Sequence, residues 1–215
     1  MFLDSRKEYT ITMVSVDAAI IRGLKKLCSL FFIALVGFYT FTASIDFRSQ
    51  WYLWGIDAAN FSLYSFLLTL IPGIIKRLGL VTYIRFLFTP LSTFRRQIGI
   101  FTYLTAVGHF WYIFFLPNGG FMFPRILSDW MGSIALLIMT PIFITSNDFS
   151  VRRLDNMWKK IHLYVHVLMW FILLHVLIKE RILQSFIAGL VVLIDVISWG
   201  RVYFLNLEKK TVAEI

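Results

Sequence analysis

Six stretches of this chain are about as long as a bilayer is thick and carry little or no formal charge, and they decide the solvent in which it folds. Leu27 to Ile45 has no charged residue, and neither does Ala58 to Ile75. Gln97 to Pro124 is uncharged and contains a span ending near Leu116. Trp130 to Asn147 and Ile161 to Ile178 follow, then Ile182 to about Phe204, interrupted by Asp195 and closed by Arg201. About 20 apolar residues of helix cross the hydrocarbon core of a membrane. Without water to bond the backbone, only helices and closed barrels span it. The runs lack the period-two alternation of barrel strands, so helices are indicated. The predicted fold class is an all-α integral membrane protein, a six-transmembrane-helix bundle in contact with membrane lipid. Composition agrees: 15% of residues are charged and 59% hydrophobic, against about 25% charged in a soluble domain.

The basic residues orient the bundle. Arg6, Lys7, Arg22, Lys25 and Lys26 precede the first span, and Lys76, Arg77, Arg85, Arg95 and Arg96 lie between the second and third. Arg152, Arg153, Lys159 and Lys160 lie between the fourth and fifth, and Arg201, Lys209 and Lys210 close or follow the sixth. That places 17 of the 21 basic residues on one side; Arg48, Arg125, Lys179 and Arg181 fall on the other. The excess of Lys and Arg in cytoplasmic loops then puts both termini in the cytoplasm of a multi-pass protein of the inner (plasma) membrane. The net charge of +9 is a topology signal and does not point to nucleic acid. Trp51, Tyr52, Trp54, Trp111, Tyr112 and Trp130 mark the outer ends, and Trp158, Trp199 and Tyr203 the inner ends, as interfacial aromatic belts do.

The connections are short and without repeats. Lys76 to Phe94 is the longest; it is apolar but broken by Arg85 and Pro90, and reads as an interfacial amphipathic piece on the cytoplasmic side. The first 20 residues have no cleavable signal pattern, and either Met1 or Met13 suits a start. Cys28 is the one cysteine, which excludes an internal disulfide or a cysteine-based metal site. There is no glycine-rich nucleotide loop and no soluble domain of any size. Electrons for any redox work must come from another protein or a diffusible donor.

The four histidines carry the chemistry. His109 lies on the third span, and His162, His166 and His175 lie on the fifth. An ionisable side chain within the bilayer needs a partner. His109 is 13 residues beyond Arg96, and His175 is 13 beyond His162, a rise of about 20 Å in each case. Both helices start on the basic side, so His109 and His175 sit at matching depth on two helices that run in the same direction. Neutral imidazole is a common axial ligand of haem iron. Two histidines at one depth on facing helices can hold a haem between them, and filling both axial positions favours electron transfer over oxygen binding. The blander reading, in which each imidazole only hydrogen-bonds a neighbouring helix, accounts less well for the pair. On an ideal helix His162 and His175 point about 140° apart, so they cannot both face the third span unless the fifth is distorted. His162 and His166 share a face at i, i+4.

Arg95 and Arg96 can contact haem propionates or a flavin phosphate, since guanidinium matches both; anchoring at the inner interface accounts for them equally well. Asp195 is an acid within a span and so a functional candidate, though a salt bridge to an inner-leaflet Arg or Lys, or protonation, explains it more simply. A divalent metal on His162 and His166 would need a third ligand, and none is apparent.

These residues carry a resemblance. FRRQIGIFTYLTAVGH, Phe94 to His109, resembles the third helix of the ferric reductase-like transmembrane family. The pattern W-x-x-x-H-x(12)-H at Trp158, His162 and His175 resembles its fifth. Within the family, the likeness is greatest to the haem-binding membrane subunits of periplasmic methionine sulfoxide reductase systems. ITSND (144–148), the basic loop and WKKIH (158–162) are similar to those subunits, as is WGIDAANFSLYSFLLTLIP, Trp54 to Pro72, to their second helix. The resemblance covers roughly residues 20 to 205. It implies a 1–20 cytoplasmic segment, a 21–205 ferric reductase-like domain with haem between helices 3 and 5, and a 206–215 cytoplasmic tail. It also implies one or two b-type haems and, as a further cofactor, FMN. Electrons would run from a cytoplasmic flavin reductase or quinone to a periplasmic molybdopterin reductase. His109 and His175 match the outer haem ligands and His162 the inner histidine; His166 stands as a secondary contact. Two positions depart from the pattern. Arg95 stands where NADPH oxidases of the family carry a second helix-3 histidine, and His166 where the closer relatives often carry Tyr. Two other readings stay open: a transmembrane metal reductase in its own right, and a haem-free membrane scaffold.

Overall fold

The computed structural model describes residues 20–38, 41, 47–114, 124 and 126–213, without the side chains of 47–52 and 208–213. Among these residues all regular structure is helical. Residues 20–38 form α1. The others are α2 (Phe47–Arg77), α3 (Arg85–Phe114), α4 (Leu127–Ile144), α5 (Asp148–Leu154), α6 (Asn156–Leu163), α7 (Val165–Ile178) and α8 (Ile182–Ala213). Four helical segments are long and apolar enough to cross a membrane: Leu53–Arg77, Leu127–Ile144, Asn156–Ile178 and Ile182–Leu207. Most of the expected N-terminal segment, Leu116 and the end of the tail lie outside the described residues.

The core follows from one stripe on α2. Leu63, Phe66, Leu67, Leu70 and Ile74 are buried, at the three- and four-residue spacing that lines one helix face. Against them pack Ala135 and Met139 of α4, Leu168, Met169 and Val176 of α7, and Ala188 and Val192 of α8. The opposite faces are also apolar: Leu68, Leu137, Phe186 and Leu193 are exposed. In water, such a surface would be an aggregation liability; in lipid it is the expected exterior.

Glycine ends α2. Gly79 has φ +67°, the left-handed conformation that a residue without Cβ adopts freely. The Leu80 N–H donates to Ile75 O (3.0 Å) and the Gly79 N–H to Lys76 O (3.1 Å), the pair of bonds of a Schellman stop.

Two features differ from the expectation. The segment read as an interfacial piece is a turn followed by the start of α3, which runs from Arg85 through Pro90 into the span. Pro90 is the sixth residue of this helix of 30 and removes the backbone bond to Phe86 O, a local loss that the helix runs through. The fifth span is not one regular helix. It is interrupted at Tyr164, whose N–H donates to Ile161 O at 3.2 Å in a tighter turn. His162 bonds at the end of α4 rather than to α3, so His162 and His175 do not both face the third span.

Candidate functional site

His109 of α3 and His175 of α7 meet inside the bundle, with ring centroids 6.3 Å apart and planes inclined at 70°. Each ring is fixed from behind. Nδ1 of His109 donates to Gly55 O of α2 (2.8 Å), and Nδ1 of His175 donates to Ser128 O of α4 (2.6 Å). A carbonyl only accepts, so both Nδ1 atoms carry the proton and both Nε2 atoms keep a lone pair. Among the described residues neither Nε2 has a protein hydrogen-bond partner.

Two glycines permit this arrangement. A Cβ on Gly132 of α4 would lie 2.9 Å from Cε1 and Nδ1 of His175. A Cβ on Gly55 would lie 3.2 Å from Cβ of Tyr112, where α2 comes close to α3. Both histidines line a cavity of about 260 Å³ whose walls are mainly apolar, with Leu63, Phe110, Met139 and Ile172 among them. One edge is polar: Lys179 pairs with Asp129 at 2.9 Å, and Arg181 lies alongside.

Toward the basic ends of the helices lies a second, larger cavity of about 700 Å³. Arg22, Lys25, Arg95 and Arg96 give it a strongly cationic wall. Arg96 also pairs with Asp148 at 2.8 Å; that hydrogen bond and charge hold the Asp148 carboxyl below the usual carboxylate range. His162 and His166 line this same cavity but have different neighbours. His162 stacks on Trp158 at 4.1 Å, and its Nε2 lies 3.3 Å from Thr145 Oγ1. The Thr145 hydroxyl already donates to Pro141 O (2.7 Å), so it accepts from His162. Trp158 Nε1 donates to Thr145 O (3.0 Å). Thr145 of the ITSND run and the Trp-x-x-x-His run are therefore one local unit. His162 presents a protonated Nε2 to a hydroxyl, unlike His109 and His175.

His166 donates from Nδ1 to Asp195 Oδ2 (3.0 Å). Arg77 pairs with the other oxygen of Asp195. The same guanidinium donates from Nε to Ser198 Oγ (2.8 Å) and lies over the Trp199 ring at 4.8 Å. The salt bridge expected for Asp195 is thus present, with Arg77 as the cation. The link to His166 has no signal in the sequence, because it depends on how α7 and α8 are rotated. Among the described residues no group of three or more His, Cys, Asp or Glu is gathered as for a bare metal ion.

The class defined by these features is an all-helical, multi-pass membrane protein with a histidine pair in its interior and a cationic cavity toward one end. Over 110 residues the chain is 28% identical to the protein-methionine-sulfoxide reductase heme-binding subunit MsrQ of Agrobacterium fabrum, covering 47% of this chain and 51% of the relative. It is 29% identical over 82 residues to MsrQ of Rhizobium meliloti, covering 35% and 38%, and 27% identical over 84 residues to MsrQ of Brucella ovis, covering 36% and 38%. The matched segments thus span about half or less of the length of these curated relatives. No family model and no solved structure matches the chain.

Proposed function

We propose that the chain is a b-type haem electron-transfer subunit of the membrane, with His109 and His175 as the axial ligands of a haem. The observation that carries this is the pair itself, 6.3 Å between ring centroids with both Nδ1 atoms bound to backbone carbonyls. Metal–imidazole bonds are about 2.0 Å and the ring centre lies about 1 Å behind the nitrogen, so one iron between two rings separates their centres by about 6 Å. Metal-bound histidines characteristically donate their other N–H to a carbonyl or carboxylate, which fixes the tautomer and raises ligand basicity. The mainly apolar cavity suits a macrocycle, and Lys179 and Arg181 at its polar edge suit propionates. When bound, the haem supplies one-electron ferric/ferrous chemistry; the chain holds it, sets its axial field and excludes water.

Six spans with both termini in the cytoplasm complete the reading, with residues 20–38 and α3 joining the four longer apolar segments. The cationic cavity then faces the cytoplasm. Its arginines suit the phosphate of a flavin such as FMN, or the propionates of a second haem. The donor in this reading is a cytoplasmic flavin reductase or a quinol, and the acceptor an outer methionine sulfoxide reductase. The similarity to chains named as heme-binding subunits of a protein-methionine-sulfoxide reductase supports the acceptor end of that route.

The test is purification in detergent followed by an absorption spectrum before and after dithionite. Sharp ferrous bands of a low-spin b-type haem, lost in His109→Ala and His175→Ala, support the reading. A folded wild-type protein that takes up no haem when haem is supplied overturns it.

A further inference from the structure

We infer that His166, oriented by Asp195, accepts the proton released when a hydroquinone-type donor is oxidised in the cationic cavity. This rests on the proposed electron-transfer role. Ferric haem takes an electron and no proton, whereas a quinol or a reduced flavin gives up two of each. The proton therefore needs an acceptor where the donor ring binds.

The geometry assigns one. Asp195 is 2% exposed, and both its oxygens have cationic or N–H partners, Arg77 and His166. A carboxylate so held fixes the imidazole with Nδ1 protonated, leaves the Nε2 lone pair available, and stabilises the imidazolium that forms when Nε2 gains a proton. His166 is one quarter exposed and lines the cavity, and among the described residues its Nε2 has no hydrogen-bond partner. A second group on the same wall also waits for a ligand. Gln97 is 6% exposed, and its Oε1 is buried without a hydrogen-bond partner. Leaving such an acceptor unpaired is destabilising, and the O–H or N–H of a hydroquinone ring would satisfy it. Trp199 lies edge-on to His166 at 5.4 Å and helps to hold the ring.

The step balances. One O–H bond of the quinol, or one N–H bond of the reduced flavin, breaks as an N–H bond forms at Nε2 of His166. The donor would give one electron to ferric haem and the second only once that haem has been reoxidised by the outer acceptor, or to a second protein molecule in solution; between the two, the imidazolium returns its proton to water through the cavity. The charged groups around His166 are set for this. From α2, Arg77 faces it with Asp195 of α8 between them. His162 and Lys159 of α6, Arg95 and Arg96 of α3, Asp148 beyond them, and Arg22 and Lys25 of α1 line the remaining walls.

The experiment uses the haem-loaded protein in detergent with three reductants: dithionite, a soluble quinol and reduced FMN. In His166→Ala, dithionite should give the full ferrous spectrum. Reduction by the hydroquinone-type donor that uses the cavity should slow about a hundredfold, the usual scale of a general base. Free imidazole, filling the space left by the ring, should restore much of that rate. Quenching of tryptophan fluorescence by the oxidised quinone or oxidised FMN should show binding within about twofold of wild type, since only the transition state uses the base. The donor whose rate depends on His166 and responds to imidazole is the one that uses the cavity. Equal rates in wild type and His166→Ala with both donors, or loss of binding of both ligands in the variant, overturn the inference. If neither donor reduces wild type while dithionite does, the inference fails and the haem assignment survives. If dithionite yields no haem spectrum, the functional reading itself has failed.

Discussion

His109 and His175 lie on different helices 66 positions apart in sequence, yet their rings stand 6.3 Å apart with each Nδ1 bonded to a carbonyl of a further helix. Four helices therefore converge on one pair of nitrogen lone pairs. Neither α2 nor α4 contributes a side chain to those bonds, only backbone oxygen. The pair is built from helix positions, so it is sensitive to how closely the helices approach.

The first prediction concerns the ligands. His109→Ala and His175→Ala should each abolish the same haem, because one axial bond does not hold it in low-spin form. The double variant should lose no more than either single one, as residues acting as a unit are non-additive. Pyridine haemochrome titration of purified protein checks this. Retention of the full haem complement by either variant would remove the pair from the site.

The second prediction concerns Gly132. An added Cβ would sit 2.9 Å from the His175 ring, closer than Cβ contacts allow. The ring must turn away, and its bond to Ser128 O is lost. Gly132→Ala should keep the helices folded but weaken haem retention about tenfold or more, as loss of a ligand's supporting hydrogen bond does. Circular dichroism together with a haem-transfer assay to apomyoglobin separates the two effects. Unchanged retention would mean that α4 has room to shift.

Much of this architecture is legible in the chain because lipid simplifies the code. Charge-free runs mark the four long apolar helical segments, and the equal 13-residue intervals before His109 and after His162 anticipate that His109 and His175 meet. What the sequence conceals depends on rotation and on backbone. Gly55 O and Ser128 O accept the histidine protons, and a carbonyl is present at every position, so nothing singles these out. The interruption at Tyr164 carries no proline or glycine to announce it. His162 and His166 share a face on an ideal helix, but with that break between them they bond to α4's end and to α8, respectively. Asp195 is conspicuous as an acid in a span, while its pairing with both Arg77 and His166 needs three helices in place.

The third prediction concerns that ion pair. Asp195 is almost fully buried and Arg77 largely so. Removing the cation alone leaves an uncompensated buried carboxylate, at a cost of about 3–5 kcal/mol. Arg77→Met should therefore lower the unfolding temperature in detergent strongly. Arg77→Met combined with Asp195→Asn should recover much of the loss, because no charge is then left unpaired. A double variant as unstable as the single one would show that Arg77 acts through packing on Trp199 instead.

The fourth prediction is topological. With 17 of 21 basic residues assigned to one side, reporter fusions at Ile215 should be active only in the cytoplasmic sense. Fusions after Lys179 should report the opposite side. A C-terminus on the outer side would invert the route of the electrons.

The last prediction concerns His162. It lies 13 residues before His175, about 20 Å away along the helical path, so it is too far to touch the outer pair. It stacks on Trp158 at the cavity where electrons enter in the proposed reading, and its Nε2 is held by Thr145. His162→Ala should leave the haem of His109 and His175 in place and fully reducible by dithionite, while slowing reduction by reduced FMN. Thr145→Val keeps the ring but removes the oxygen that accepts from Nε2, and should give a smaller loss in the same direction. Stopped-flow absorbance at the ferrous band measures both. If His162→Ala instead loses the outer haem, the two ends of the helix are coupled through the break at Tyr164. If it reduces at the wild-type rate, electrons enter by a path that does not involve this ring.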